Sequence, residues 1–166
     1  MIKKFFAFVL LGSLAILSSC GTPSYKEIDD PSEYTDVIGK TFKTREEMLI
    51  FGYSKDAPWE TIDGYVITEK PGIGGREILS RDPFPVGSVF RVKKIMNCTN
   101  CLWSAPRIVV EVLSDDIYRG SFVKLRDRGN TFVPGPNETG MRMNPRLFQE
   151  TSVSFPEEPF TTGSHE

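Results

Sequence analysis

Ser88-Val89-Phe90-Arg91-Val92-Lys93-Lys94-Ile95 is the stretch whose reading decides the fold. From Phe90 to Lys93 apolar and polar residues alternate, the two-residue period of a strand with one face in a core. The alternation then slips, because Val92 and Ile95 fall on opposite parities. A bulge or sharp bend between them would return both side chains to the same face. Outward from here the chain repeats the theme. Arg107-Ile108-Val109-Val110-Glu111-Val112-Leu113 follows, and then Ser121-Phe122-Val123-Lys124-Leu125-Arg126, in which Val123 and Leu125 share a face opposite Phe122, Lys124 and Arg126. Gly87 and Gly120 stand just ahead of two of these strands, where tight turns are required.

Upstream, Tyr65-Val66-Ile67-Thr68 is a short β-prone run between Gly64 and Pro71-Gly72, and Glu77-Ile78-Leu79 is a shorter one. Thr44-Arg45-Glu46-Glu47 has the form of a capping box. Among so many strands, a strand through Met48-Leu49-Ile50-Phe51 is the preferred reading. No segment keeps helical apolar spacing over three turns. The expectation is an all-β chain, a small antiparallel barrel or sandwich over residues 37–130. The run Gly87-x-x-Phe90-x-Val92, with the two strands after it, resembles bacterial Src-homology-3-like barrels. That resemblance implies a fold and transfers no ligand site.

The two ends of the chain read differently. Lys3 and Lys4 precede Phe5 to Leu17, an uncharged, mostly apolar run. A basic start and a short apolar run form a secretory leader, and the run is too short for a comfortable spanning helix, which needs about 20 residues. It closes in Leu17-Ser18-Ser19-Cys20. These four residues resemble the lipobox of bacterial lipoproteins. The resemblance implies a signal peptide over 1–19, cleavage before Cys20, a diacylglycerol on its sulfur and an acyl chain, such as palmitate, on its new amine. Gly21 stands where an Asp typically favours inner-membrane retention, so the resemblance implies the outer membrane of a Gram-negative envelope, periplasmic face. Residues 20–36, rich in Pro, Ser, Asp and Glu, read as the lipidated cysteine and a tether with a reach of roughly 50 Å when extended. Residues 131–166 hold Pro134, Pro136, Pro145, Pro156 and Pro159 and read as a segment without regular elements, docked through Phe132, Met141, Met143, Leu147 and Phe148, with a disordered end.

Hydrophobic residues at 39% and charged ones at 25% fit a globular domain rather than a disordered one. The formal charge is −2, and −4 once Lys3 and Lys4 leave with the leader, so nothing draws the chain broadly to nucleic acid. Once Cys20 is lipidated, Cys98 and Cys101 are the remaining thiols. In an exported chain Cys98-Thr99-Asn100-Cys101 reads first as a disulfide that stiffens a hairpin tip. A thiol-redox pair is the rival, but it needs a helix start after the first cysteine, which Leu102-Trp103-Ser104-Ala105-Pro106 does not supply. A zinc site needs about four ligands; the sequence offers these two thiols and the distant His165. Trp59 and Trp103 are candidates for partner binding, weighed against core packing. Pro71-Gly72-Ile73-Gly74-Gly75-Arg76 lacks the ending of a phosphate loop and reads as a flexible hairpin connection. Arg126, Arg128, Arg142 and Arg146 read as a solvated face.

No histidine is available in residues 37–130 to act as a general base, and neither Gly-x-Ser-x-Gly nor His-Glu-x-x-His occurs. The expectation is therefore a lipid-anchored, non-enzymatic interaction or accessory module of the cell envelope. It needs no cofactor or metal, and its partner is an envelope protein or cell-wall component. An envelope thiol-redox or hydrolytic enzyme and a small-ligand-binding barrel are the alternatives.

Overall fold

The structure, a computed structural model, describes residues 24–100, 106–114, 116–127, 129–136 and 140–152. The described chain is almost entirely β, with a 3-10 turn at Pro31–Tyr34. Its strands are β1 (Tyr25–Glu27), β2 (Thr41–Thr44), β3 (Met48–Tyr53), β4 (Gly64–Glu69), β5 (Ile78–Phe84), β6 (Val89–Cys98), β7 (Arg107–Val112), β8 (Phe122–Arg126), β9 (Phe132–Pro134), β10 (Met141–Met143) and β11 (Phe148–Glu150).

The main sheet runs β11-β2-β6-β7-β8-β4-β3-β5, and β1 adds to β6; β9 and β10 form a small sheet of their own. Pairings are antiparallel except between β4 and β8, which run parallel through Val66↔Lys124 and Ile67↔Leu125. The path ends at β5 and β11, so the sheet wraps a core without closing into a barrel. Pro83 sits within β5, which a proline can do because β5 is an edge strand with one side outside the ladder.

β6 organises the molecule. Its register with β7 shifts between Val92 and Lys94: Val92 faces Val110, Lys94 faces Val109, and Lys93 is the extra residue. Val92 and Ile95 are both fully buried as a result. They meet Phe90 of the same strand, Ile108, Val110 and Val112 of β7, Val123 and Leu125 of β8, Ile67 of β4 and Ile50 of β3 in one apolar core.

The other edge of β6 is covered end to end by one continuous piece of chain. β1 pairs with its last residues, Tyr25↔Cys98 to Glu27↔Met96. The Ile28 amide then donates to the Ile95 carbonyl (3.3 Å) and the Gly39 amide to the Val92 carbonyl (2.8 Å). β2 takes the first residues, Thr41↔Arg91 to Lys43↔Val89. Between these contacts the chain loops through the 3-10 turn, capped by the Asp30 carboxylate on the Ser32 amide (2.9 Å), and buries Tyr34 and Val37. The stretch read as a tether is thus built into the fold from Tyr25 onward. Its few apolar residues, Tyr25, Ile28 and Tyr34, each find a packing site, and β6 offers an edge that would otherwise be unpaired.

Two other expectations change. Residues 131–152 are not without regular elements: β9, β10 and β11 are short strands, and Met143, Leu147 and Phe148 are buried in the core. The prolines fall at strand ends and turns, where a missing amide costs nothing. Pro71–Arg76 is more than a loose connection. It lies over the outer face of β3, where Leu49 and Phe51 are buried on the side away from the core cluster. Gly72 has φ +92°, and a Cβ there would come within 2.5 Å of the Phe51 ring. Arg81 ties the loop down, with its guanidinium donating to the Pro71 carbonyl (3.2 Å) and lying 5.6 Å from the Phe51 ring centre. Glycine is needed at position 72 for both its left-handed backbone and its lack of a side chain.

Candidate functional site: the disulfide-bearing end of the sheet

Cys98 is the last residue of β6, half-buried and disulfide-bonded, and its bonding partner lies outside the described residues. Cys20, Cys101 and Trp103 also lie outside them. Just past the strand, the Thr99 amide donates to the Ser24 carbonyl (2.8 Å), and the Thr99 hydroxyl donates to the same oxygen (3.2 Å). Arg107, which opens β7 opposite Met96, lays its guanidinium 3.2 Å from the centre of the Tyr25 ring. Cation–ring stacking of this kind is worth about 0.5–2 kcal/mol, according to exposure. The first described residues of the chain are therefore clamped to the end of β6 from both sides: by backbone pairing along the edge and by Arg107 over the ring. Ser24 and Thr99 carried no signal in the sequence. Tyr25 and Ile28, isolated apolar residues in a polar stretch, were the available hint.

This end of the sheet is polar. Ser24, Lys26, Asn97, Thr99 and Asn100 are exposed. Lys26 pairs with Asp29 (3.8 Å) and Lys94 with Glu27 (3.9 Å), both at the surface, where such pairs contribute little to stability. Arg126 pairs in register with Arg107 from the far side of β7.

The opposite end of β6 is different in character. The turn before β6 and the turn after β7 are joined there: the Val89 amide donates to the Ser114 hydroxyl (2.7 Å) and the Leu113 amide to the Val89 carbonyl (2.9 Å). These two turns expose Val86 (62%) and Ile117 (81%), the most exposed large apolar side chains among the described residues.

Trp59 sits elsewhere, in the loop joining β3 to β4, and those strands do not neighbour β6. It is half-buried, its φ is +61°, and its amide donates to the Asp56 carbonyl (3.0 Å). A non-glycine residue held in this left-handed region costs of order 1–3 kcal/mol. Asp63 organises the loop: its carboxylate accepts from the Lys55 amide (2.6 Å) and the Ser54 hydroxyl (3.2 Å). The Lys55 amide chiefly holds the Asp63 carboxyl below its ordinary pKa, with smaller help from Ser54 and the Lys55 charge. The structure does not bring Trp59 and Cys98 together.

Three further clusters were not legible in the sequence. The Tyr118 hydroxyl donates to the Asp82 carboxyl (2.6 Å), and the Tyr118 ring meets Tyr65 edge-on at 5.1 Å. On the outer face, Lys124 donates to the Tyr53 hydroxyl and lies over its ring. Glu111 is mostly buried between Lys93 (3.5 Å) and Arg91 (3.9 Å). One of its oxygens makes no hydrogen bond among the described residues, so those cations act on it by charge rather than by close donation. The arginines behave separately: Arg146 spans Glu46 (3.9 Å) and Glu69 (3.7 Å), Arg126 and Arg142 lie on different sheets, and Arg128 is outside the described residues. Among the described residues no group of three or more His, Cys, Asp or Glu is placed to hold a metal, and no helix is long and apolar enough to cross a membrane.

Compared with known proteins, the chain matches no family model, no curated protein and no solved structure.

Proposed function

We propose that this chain is a bacterial envelope lipoprotein, held on a membrane by lipid on Cys20, whose β domain serves as a non-enzymatic interaction or accessory module. The observation that carries the reading is Leu17-Ser18-Ser19-Cys20 at the end of a charged and then apolar leader, five residues ahead of the first strand. The Cys20 sulfur displaces the headgroup phosphate of a phospholipid from its glycerol carbon, forming a thioether and releasing the phosphorylated headgroup and the thiol proton. Water then hydrolyses the Ser19–Cys20 peptide bond, and the freed amine takes an acyl chain from a phospholipid ester, which leaves as a lysophospholipid. Several chains give firm anchorage where one holds only marginally. The periplasmic face of the outer membrane is the proposed location if the envelope is Gram-negative. A cell-wall component or an envelope protein is the proposed partner.

The exposed Val86 and Ile117, at the end of β6 away from Tyr25, support a role in contacts. Within the same reading, Cys98 pairs with Cys101 and closes the hairpin tip. Mass analysis of the N-terminal peptide from membranes tests the anchor. A peptide starting at Cys20 and carrying two lipid modifications is expected, with export but no lipid in Cys20→Ala. An unmodified thiol or an uncleaved leader in the native chain overturns the reading. Photocrosslinking from Val86 in intact cells tests the module. A discrete protein or glycan adduct supports it, and a diffuse background from every exposed position overturns it.

A further inference from the structure

We infer that the lipoprotein presents a defined end to the bilayer: the face made by Ser24, Lys26, Asn97, Thr99 and Asn100, where β1 meets the end of β6, rests on phospholipid headgroups. The inference rests on the anchoring reading above and adds the orientation that the fold imposes on it.

Chain length sets the orientation. A tether running from Cys20 to residue 36 would leave the domain free to tumble roughly 50 Å from the membrane. The structure removes most of that freedom, because Tyr25–Glu27 is paired into the sheet and Ser24 is held by two hydrogen bonds from Thr99. Five peptide units separate Cys20 from Tyr25, and at about 3.3–3.6 Å each they span at most roughly 18 Å. The anchored cysteine lies at the level of the headgroups, so the end of β6 at Cys98 cannot leave that neighbourhood. β6 itself runs ten residues from Val89 to Cys98, roughly 30 Å at about 3.3 Å per residue. When that strand stands up from the membrane, Val86 and Ile117 are carried beyond the reach of the anchor.

The chemistry of the near end suits this placement. The exposed side chains of Ser24, Lys26, Asn97, Thr99 and Asn100 are hydroxyl, amide and ammonium groups, which hydrogen-bond to phosphate and glycerol oxygens without entering the hydrocarbon, while the neighbouring carboxylates of Asp29 and Glu27 are each paired with a lysine. The far end carries Val86 and Ile117, which the length of β6 holds away from the anchor.

The test uses the full-length, lipidated protein purified with its anchor and reconstituted in vesicles of phosphatidylethanolamine and phosphatidylglycerol. A photoreactive phenylalanine analogue is placed at Asn100, at Val86 or at Ile117, all exposed sites. Intact mass then reads the lipid adducts. At least a fivefold excess of adducts from Asn100 over either far-end position is expected. Inserting twenty Gly-Ser residues after Thr22 should erase most of that excess while Cys20 remains lipidated. Equal adducts from the two ends of lipidated protein, or an excess that survives the insertion, overturn the orientation and leave the anchor standing. A mass showing bare Cys20 overturns both.

Discussion

Gly72 lies against Phe51 so closely that a single methyl group on its α-carbon would fall 2.5 Å from the ring. Two costs coincide there, the steric one and the left-handed backbone at φ +92°. Gly72→Ala should destabilise the domain by about 2–3 kcal/mol, measured by urea unfolding. Gly74→Ala, where an added Cβ meets nothing within 4 Å, is the control and should cost well under 1 kcal/mol. Equal effects at the two positions would show that the loop does not roof β3.

Lys93 is the extra residue that separates the two halves of β6. Deleting it should restore simple alternation, with Val92 and Ile95 still inward and Ile95 still opposite Ile108. The deleted chain should fold, with a loss of about 1–2 kcal/mol from the shifted β1 edge and the missing contact to Glu111. Inserting an alanine after Lys94 should instead carry Ile95 past Ile108 to the open end of β7, or turn it toward solvent if the bulge persists, and so cost more than the deletion. Near-ultraviolet circular dichroism and denaturant melts of both variants decide the matter, and an insertion variant as stable as the deletion variant would refute the register.

Tyr118→Phe keeps the edge-on contact with Tyr65 and removes the hydroxyl that donates to Asp82. Loss of a hydrogen bond to a carboxyl group, leaving that group partly buried, should cost about 1–3 kcal/mol. Asp82→Asn, which keeps an acceptor, should cost less. A neutral Tyr118→Phe would mean that water replaces the hydroxyl without loss.

Asp63 and Tyr34 set opposite limits in pH. The Lys55 amide depresses the folded pKa of Asp63, so its stabilising contribution is full above the ordinary value of 3.8 and disappears as pH falls through the lower folded value. The Lys55 amide resonance should titrate with a midpoint below 3.8, and Asp63→Asn should abolish that titration. Burial, aided by the charges of Glu33 and Asp127, raises the folded pKa of Tyr34. Its contribution is therefore full below its ordinary value of 10.0 and is lost as pH rises through the raised one. Ultraviolet titration should show a late-ionising component that Tyr34→Phe removes.

Cys98 and Cys101, paired as proposed, close a loop so short that the bond should add only about 2 kcal/mol. Protein purified without reductant should take up no thiol reagent at either position. Replacing both by serine should lower stability by about that amount and leave β1 paired, read from the protection of the Thr99 amide against hydrogen exchange. Two freely reactive thiols would remove the disulfide from the picture.

Patterning along the chain was enough to determine the β class and the core faces of β6 and β8, because alternation is a local property that burial on one face imposes; the strand at Met48, a continuous apolar run, was preferred over a helical turn only for its β surroundings. The slip between Val92 and Ile95 even located the bulge. The proposed leader and lipid site at Cys20 rest on the sequence alone, as signals carried by consecutive residues. Tertiary structure alone decided the rest: the parallel meeting of β4 and β8, the roof over Phe51, the separation of Trp59 from Cys98, and the capture of Tyr25 by the edge of β6. Each is a pairing between segments far apart in the chain, set by which edge is open and which surface needs cover, and a strand of three residues has too little pattern to announce its partner.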